Sequence, residues 1–477
     1  MDHNEPLGLL HTAQEADWVD KVNMARVDGR LCDWATSLHP EKLPCRLIGG
    51  FLNGAYNLGQ KFVFEDEKFW FLRLPRASSI SPEHADEKVA MEVEALHLLL
   101  ERTSVPVPKV YAWGLAQESP LGLGPFIYMN SIDGVCLSDI LRGGDSRLLN
   151  EEISDTEIEL IYKQIAQFMV QIFNIDFDQI GNLPTPKIKY RTPRRPLTWK
   201  AHEILRGGGV NTFDDHKEAF STSGEYFQYI NGQDWQQLRL QPNSISGPWS
   251  GISVYASLKI LESLIPELTH SAYEQGPFKL ICDDFGPANM IVRSKEDLTI
   301  IGVVDLEWVY AGPAQLFGSA PWWLLLDRPV NKAWDFEDGK APKATERYFK
   351  CLEIFQRVLM EEELKMSGTE KLFELVEWSE DTGAMWLHML LLAGFFDSLI
   401  FPFIQLRTHK GEDWWDEQVN KYWDTEQAKT FIATKSLHLV TYEEVHNKVK
   451  HYQSLMDDQK MERTDFIRNV SALLGCI

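Results

Sequence analysis

The sequence predicts an α+β protein, with a small sheet and one inserted helix over residues 45–130 ahead of a larger, mostly helical remainder. Three observations carry this. Glycine-punctuated apolar runs at 47–57, 62–64 and 69–74 read as strand, loop, strand, turn, strand. Val89, Val93, Leu96 and Leu100 then recur at helical spacing, with acidic residues early in the segment. Beyond residue 150 the helical period dominates, most clearly where Ile158, Ile161, Ile165, Phe168 and Ile172 form one apolar stripe.

The elements follow in order. Residues 1–44 read as a helical extension, with Trp18, Val22, Met24, Leu31 and Trp34 set among charges. Pro106 and Pro108 close the helix of 81–101, and 110–113 and 126–129 read as two more short strands. The chain turns helical after Ile132-Asp133-Gly134. Residues 185–250 form a segment rich in Pro, Gly and Arg with no secure order, and a helix over 253–275 leads to Leu280-Ile281. The division expected is 1–44, 45–130, 131–330 and 331–477, the last being helical.

Composition narrows the function. The 477 residues hold 47 basic and 70 acidic side chains, a net charge of −23, with 44% hydrophobic residues. Nucleic-acid binding needs a basic face, so nucleic acid is not the expected partner. The apolar stretch 386–406 is long enough to span a bilayer, but Asp397 in its middle is costly in lipid. It reads as a buried helix broken near Pro402, and no membrane is expected. Six cysteines (Cys32, Cys45, Cys136, Cys282, Cys351 and Cys476) lack paired spacing and read as reduced thiols. Residues 1–20 lack the basic start and apolar run of a signal peptide, so a cytoplasmic location is expected.

The chemistry concentrates at Leu280-Ile281-Cys282-Asp283-Asp284-Phe285-Gly286-Pro287-Ala288-Asn289. A strand leads in, Asn289 follows Asp284 by five residues, and the apolar run 298–304 ends at Asp305-Leu306-Glu307. This reads as a hairpin presenting Asp284, Asn289 and Asp305 at one end. Phosphoryl transfer to an alcohol needs these types: a carboxylate to take the hydroxyl proton, and Asn and Asp oxygens for Mg²⁺. Upstream, the loop from Gly50 to Gly54 could bring backbone N–H groups onto phosphate oxygens. Arg73 at a strand end could reach the phosphates, with Glu92 on the next helix to hold it. An Asp and Asn satisfying a turn, and an ordinary Arg–Glu ion pair, are the plain alternatives. A zinc helix is excluded at His202-Glu203, because no second His follows at the required spacing.

The order Gly-rich hairpin, Phe-Leu-Arg-Leu-Pro (71–75), Glu92 helix, Asp-Asp-Phe-Gly-Pro-Ala-Asn and Val-Asp-Leu-Glu-Trp resembles the aminoglycoside phosphotransferase-like kinase family. Tyr310-Ala311-Gly312-Pro313 and Pro321-Trp322-Trp323 are similar to its fungal branch. The resemblance implies a two-lobed protein-kinase-like fold: a small antiparallel-sheet N-lobe with one helix, and a larger, mostly helical C-lobe. It implies Asp284 as catalytic aspartate, Asn289 and Asp305 as magnesium ligands, and Glu307 as a further ligand. Gly50, Gly54, Tyr56, Asn57, Arg73 and Glu92 would bind nucleotide, with Met129 and Ser131 in the hinge that receives the base. The implied activity is Mg²⁺-dependent transfer of the γ-phosphate of ATP or GTP to a hydroxyl of a small molecule. Cationic alcohols such as choline are among the open substrates, since Trp faces and acidic residues suit them. Two departures stand out: Cys282 where the family often has His, and Arg73 where many kinases have Lys. They leave a second reading open, a catalytically impaired kinase-like module that binds nucleotide or a partner.

Overall fold

The computed structural model describes residues 1–143, 146–188, 193–213, 216–336 and 342–475. Two helices open the chain, α1 (Glu5–Val27), capped by the Asn4 side chain, and α2 (Arg30–Leu38). Strands β1 (Cys45–Asn53), β2 (Asn57–Phe64) and β3 (Phe69–Pro75) follow, then α3 (Pro82–Arg102), β4 (Val110–Gly114) and β5 (Phe126–Asn130). They form one antiparallel sheet in the order β1-β2-β3-β5-β4. Side chains alternate across a strand, so each strand serves two faces. On one face Phe62, Phe64, Trp70, Leu72 and Tyr128 pack with Trp18 and Val22 of α1 and Trp34 of α2. On the other, Val89 and Val93 of α3 pack on Ile127 and Met129. Arg73 stands between Leu72 and Leu74, and the same alternation turns it to the α3 side.

The second lobe begins with β6 (Val135–Cys136), α4 (Leu137–Leu141) and α5 (Asp155–Phe173). Ser154 and Glu157 form a reciprocal cap at the start of α5. Next come β7 (Asp176–Phe177), α6 (Trp199–Glu203), α7 (Ser223–Leu240) and α8 (Pro248–Leu264). The helix expected over 253–275 is therefore displaced toward the N-terminus: Pro248 suits a first helical turn, and the helix stops before Pro266.

Strands β8 (Phe278–Cys282), β9 (Met290–Val292), β10 (Ile300–Val303) and β11 (Val309–Gly312) carry the motif region. They are not one hairpin but two, nested. β9 pairs with β10 inside, whereas β8 pairs with β11 outside. The expected single hairpin took the nearest strands as partners. The turn through Asp305 and Trp308, both at φ 61°, instead returns the chain alongside β8.

The remaining helices are α9 (Ala314–Phe317), α10 (Ala344–Ser367), α11 (Lys371–Asp381), α12 (Ala384–Leu392), α13 (Phe401–Lys410), α14 (Glu412–Trp423), α15 (Glu426–Asp457) and α16 (Arg463–Leu474). α5 packs along α10. The apolar stretch of 386–406 is split between α12 and α13, with the break over 393–400 and Pro402 in the first turn of α13 rather than at the break. Among the described residues, no helix is long and apolar enough to cross a membrane. Cys32, Cys45, Cys136, Cys282 and Cys351 are free thiols, and Cys476 lies outside the described residues.

Candidate active site

A cleft of about 740 Å³ separates the sheet from the nested hairpins. The β1–β2 turn forms its roof. Here the Gly54 N–H donates to the Asn57 carbonyl at 2.9 Å, and a Cβ on Gly54 would sit 3.2 Å from that oxygen, which favours glycine. Gly54, Tyr56 and Asn57 line the cleft, as do Met129 and Ser131 where β5 leaves the sheet. Gly50 does not: it sits in the irregularity between Ile48 and Leu52, upstream of the turn.

Arg73 is the hub. The residue is only 7% exposed, and its guanidinium pairs with Glu92 behind it and Asp305 in front, and lies 3.3 Å from Glu307. Glu307 also pairs with Lys88 and accepts a 2.9 Å hydrogen bond from Asn57 Nδ2. Burial alone would raise the Glu307 carboxyl, but Lys88 and Arg73 outweigh it and hold the group below its ordinary range. Glu307 thus ties the roof of the cleft to α3, with its charge already met by two cations. Asp305 is the more open carboxylate, its side chain 38% exposed. Its left-handed backbone is tolerated by Asp better than by most residues, and costs about 1 kcal/mol that the surrounding pairs offset.

β8 delivers the opposite wall. Asp284 is exposed and receives the Asn289 Nδ2–H at 2.9 Å on one oxygen and an Arg328 N–H at 3.1 Å on the other. A short turn at Pro287–Asn289 brings Asn289 back to Asp284, and Val304 N–H donates to the Asn289 carbonyl at 2.9 Å. That bond ties the metal-type Asn to the strand leading into Asp305. Asp283 lies beneath. Burial pushes its carboxyl up to about 7, Arg328 opposes this, and Asp284 adds to it. Burial also pushes the Cys282 thiol up to about 12, so it is a neutral packing group and not a nucleophile.

Four further residues shape the site beyond those expected from the sequence. Lys88 carries a signal, standing four residues before Glu92 and hence on the same helix face. Arg328 has no local signal, because it reaches Asp284 from 44 residues downstream. Trp199, from the segment that resisted ordering, donates to the Tyr56 hydroxyl at 2.6 Å, and Tyr56 in turn donates to Glu203 at 2.7 Å. Trp308 packs edge-on to Tyr56.

Among the described residues, no group of three or more His, Cys, Asp and Glu side chains could hold a metal alone. The donor set nevertheless suits Mg²⁺, which takes one or two protein oxygens and completes its shell with water and phosphate. Asp305 presents an open carboxylate, and Asn289, whose side-chain amide N–H is spent on Asp284, keeps its side-chain Oδ1 for a cation.

A sheet lobe with its packed helix, a helical lobe, and carboxylates facing a buried cation across the cleft define the two-lobed protein-kinase-like architecture. The chain matches the model of the phosphotransferase enzyme family over residues 49–316, more than half its length, and it belongs to that family. No curated protein matches it at a significant level. Solved structures similar to it include a protein of Ralstonia eutropha JMP134 assigned as an aminoglycoside phosphotransferase, at 14% identity and TM-score 0.44, covering 85% of this chain and 96% of that one. The macrolide 2'-phosphotransferase MphH of Brachybacterium faecium follows, at 14% identity and TM-score 0.40, covering 83% and 98%. The amicoumacin kinase hAmiN has 12% identity and TM-score 0.36, covering 84% and 96%. Membership rests on the family match rather than on these distant likenesses.

Proposed function

We propose that the protein is a magnesium-dependent phosphotransferase that moves the γ-phosphate of ATP or GTP to a hydroxyl of a small molecule. One observation carries the reading: Asp284 and Asp305 open on the same cleft as Arg73, whose guanidinium is braced from behind by Glu92. Asp284 accepts the proton of the attacking hydroxyl, its carboxylate oriented by the Asn289 amide. Arg73 steadies the phosphates, and the turn over Gly54, Tyr56 and Asn57 covers them and excludes water. Met129 and Ser131 border the place for the base. Asp305 and Asn289 would hold Mg²⁺, which when bound neutralises charge on the transferring phosphate. Glu307, already met by Lys88 and Arg73, acts by fixing Arg73 beside Asp305.

The reading is tested with Asp284→Asn. Turnover with a transferring substrate should fall about 10²–10⁴-fold, the range for removing a general base, while nucleotide binding is kept. Near-normal turnover would sink the role of Asp284.

A further inference from the structure

A second cavity, about 160 Å³, opens in the helical lobe. Trp199, Asp283 and Arg328 line both this cavity and the cleft, so the two meet at the turn that carries Asp284. Its other walls include Phe285, Phe317, Trp322, Met389 and Leu392. His388 stands at the back with both ring nitrogens occupied, 2.7 Å from Gln315 and 3.1 Å from Ser319. Burial pushes its pKa down to about 3, so it adds no positive charge near neutral pH.

Size and charge both restrict the occupant. A dry apolar cavity of about 150 Å³ holds one benzene, so this one takes a single six-membered ring or a branched aliphatic group of that bulk. A second linked ring would have to lie outside it, in the cleft. A polycation needs several carboxylates, but among the lining residues only Asp283 is acidic, and burial pushes its carboxyl up to about 7, while Arg328 donates to its backbone carbonyl at 2.8 Å. A quaternary ammonium ion needs a free aromatic face. The Arg328 guanidinium lies 4.1 Å from the Trp322 ring centre and 5.8 Å from that of Trp199, so the mouth of the cavity already holds a cation that repels a second one.

We infer that this cavity is the acceptor pocket, and that it takes an alcohol bearing one ring-sized apolar group and no positive charge. The inference rests on the phosphotransferase reading above. The apolar group lies between Trp322 and Met389, and the hydroxyl passes between Trp199 and Arg328 toward Asp284. In the transfer the acceptor oxygen forms a bond to the γ-phosphorus and the bond from that phosphorus to the β,γ-bridging oxygen breaks. The hydroxyl proton goes to Asp284, and the nucleoside diphosphate leaves.

The test uses the full chain and four probes: benzyl alcohol, cyclohexylmethanol, choline and kanamycin. Binding is followed by tryptophan fluorescence, and transfer by nucleoside diphosphate release with Mg-ATP. The two ring alcohols should bind with dissociation constants on the order of 1 mM, as expected of fragments this small, and should raise diphosphate release. Met389→Trp, and separately Leu392→Phe, fill the cavity and should weaken ring-alcohol binding at least about tenfold. Both variants should keep the wild-type thermal shift with Mg-ATP alone. Choline or kanamycin binding more tightly than the ring alcohols would overturn the inference and leave the phosphotransferase reading standing. So would ring alcohols that fail to bind while Mg-ATP binds normally, or that bind equally well to the filled variants. Loss of the Mg-ATP shift in the wild type is a separate result, and it strikes the phosphotransferase reading itself.

Discussion

Arg73 shows how one side chain can be legible in part. The face it takes and its partner Glu92 follow from strand alternation and helix spacing, both local properties, although β3 runs two residues past it to Pro75 rather than ending there. Its contacts with Asp305 and Glu307 cross more than 200 residues of sequence, and only the closed fold supplies them. Asp284 and Asn289 were legible because their spacing closes a turn, whereas Arg328 comes from a segment with no motif. Buried His388 yields a residue-scale prediction. Its pKa is lowered from the ordinary 6.5 to about 3, so below pH 6.5 the unfolded chain binds a proton that the folded chain refuses. Stability from this group is complete above pH 6.5 and is lost as pH falls toward 3. At pH 5 the loss is about 2 kcal/mol relative to pH 7.5. His388→Gln, which can still bond Gln315 and Ser319, should show a smaller fall in melting temperature between those pH values than the wild type. Equal falls would mean that His388 is protonated in the fold.

At the scale of elements, the strands and helices with a strong period were legible and their partners were not. The inner β9–β10 hairpin joins neighbours and could be read directly, whereas the β8–β11 pair closes around it. Closing such a pair depends on the turn at Asp305 and Trp308 adopting positive φ, which no propensity announces. The segment 185–250 resisted reading for another reason. Its buried faces mix apolar with polar residues, so α7 buries Tyr226, Phe227, Ile230 and Leu238 beside Asn231, Asp234 and Gln237, and Lys200 of α6 pairs with Asp234 at 2.6 Å and donates to the Leu391 carbonyl of α12 at 2.8 Å. Both side chains of the pair are 1% exposed, so removing one partner strands the other. Lys200→Met should therefore destabilise the protein by about 3–5 kcal/mol, read as a lower denaturation midpoint. Lys200→Met with Asp234→Leu should recover most of that loss. A single variant as stable as the wild type would show that the pair does not organise the segment.

Across the whole molecule, α1 links the two lobes. Its start is anchored to the helical lobe, where Asn4 N–H donates to Gly207 at 2.7 Å and Leu10 and Ala13 pack with Val449, Phe466 and Val470. Its end enters the sheet core, where Trp18 donates to the Leu123 carbonyl at 2.9 Å. The helical extension was legible as a helix, but this bridging position was not, since it depends on partners more than 400 residues away. Trp18→Ala should cost about 3–5 kcal/mol, the usual range for a buried tryptophan, with the midpoint of thermal unfolding as the readout. A change below about 1 kcal/mol would mean that α1 does not hold the sheet. That the cleft between the lobes is a metal-dependent nucleotide site is tested most directly by a thermal-shift titration. Mg-ATP, Mg-GTP and each nucleotide with EDTA are compared on the wild type and on Asp305→Ala. Ligand at about 100 times its dissociation constant adds about 2.7 kcal/mol, a rise of a few degrees. That rise is expected in the wild type with at least one nucleotide, only when metal is present, and is expected to be lost in Asp305→Ala. No shift with either nucleotide at millimolar concentration, or an equal shift in Asp305→Ala, would contradict it.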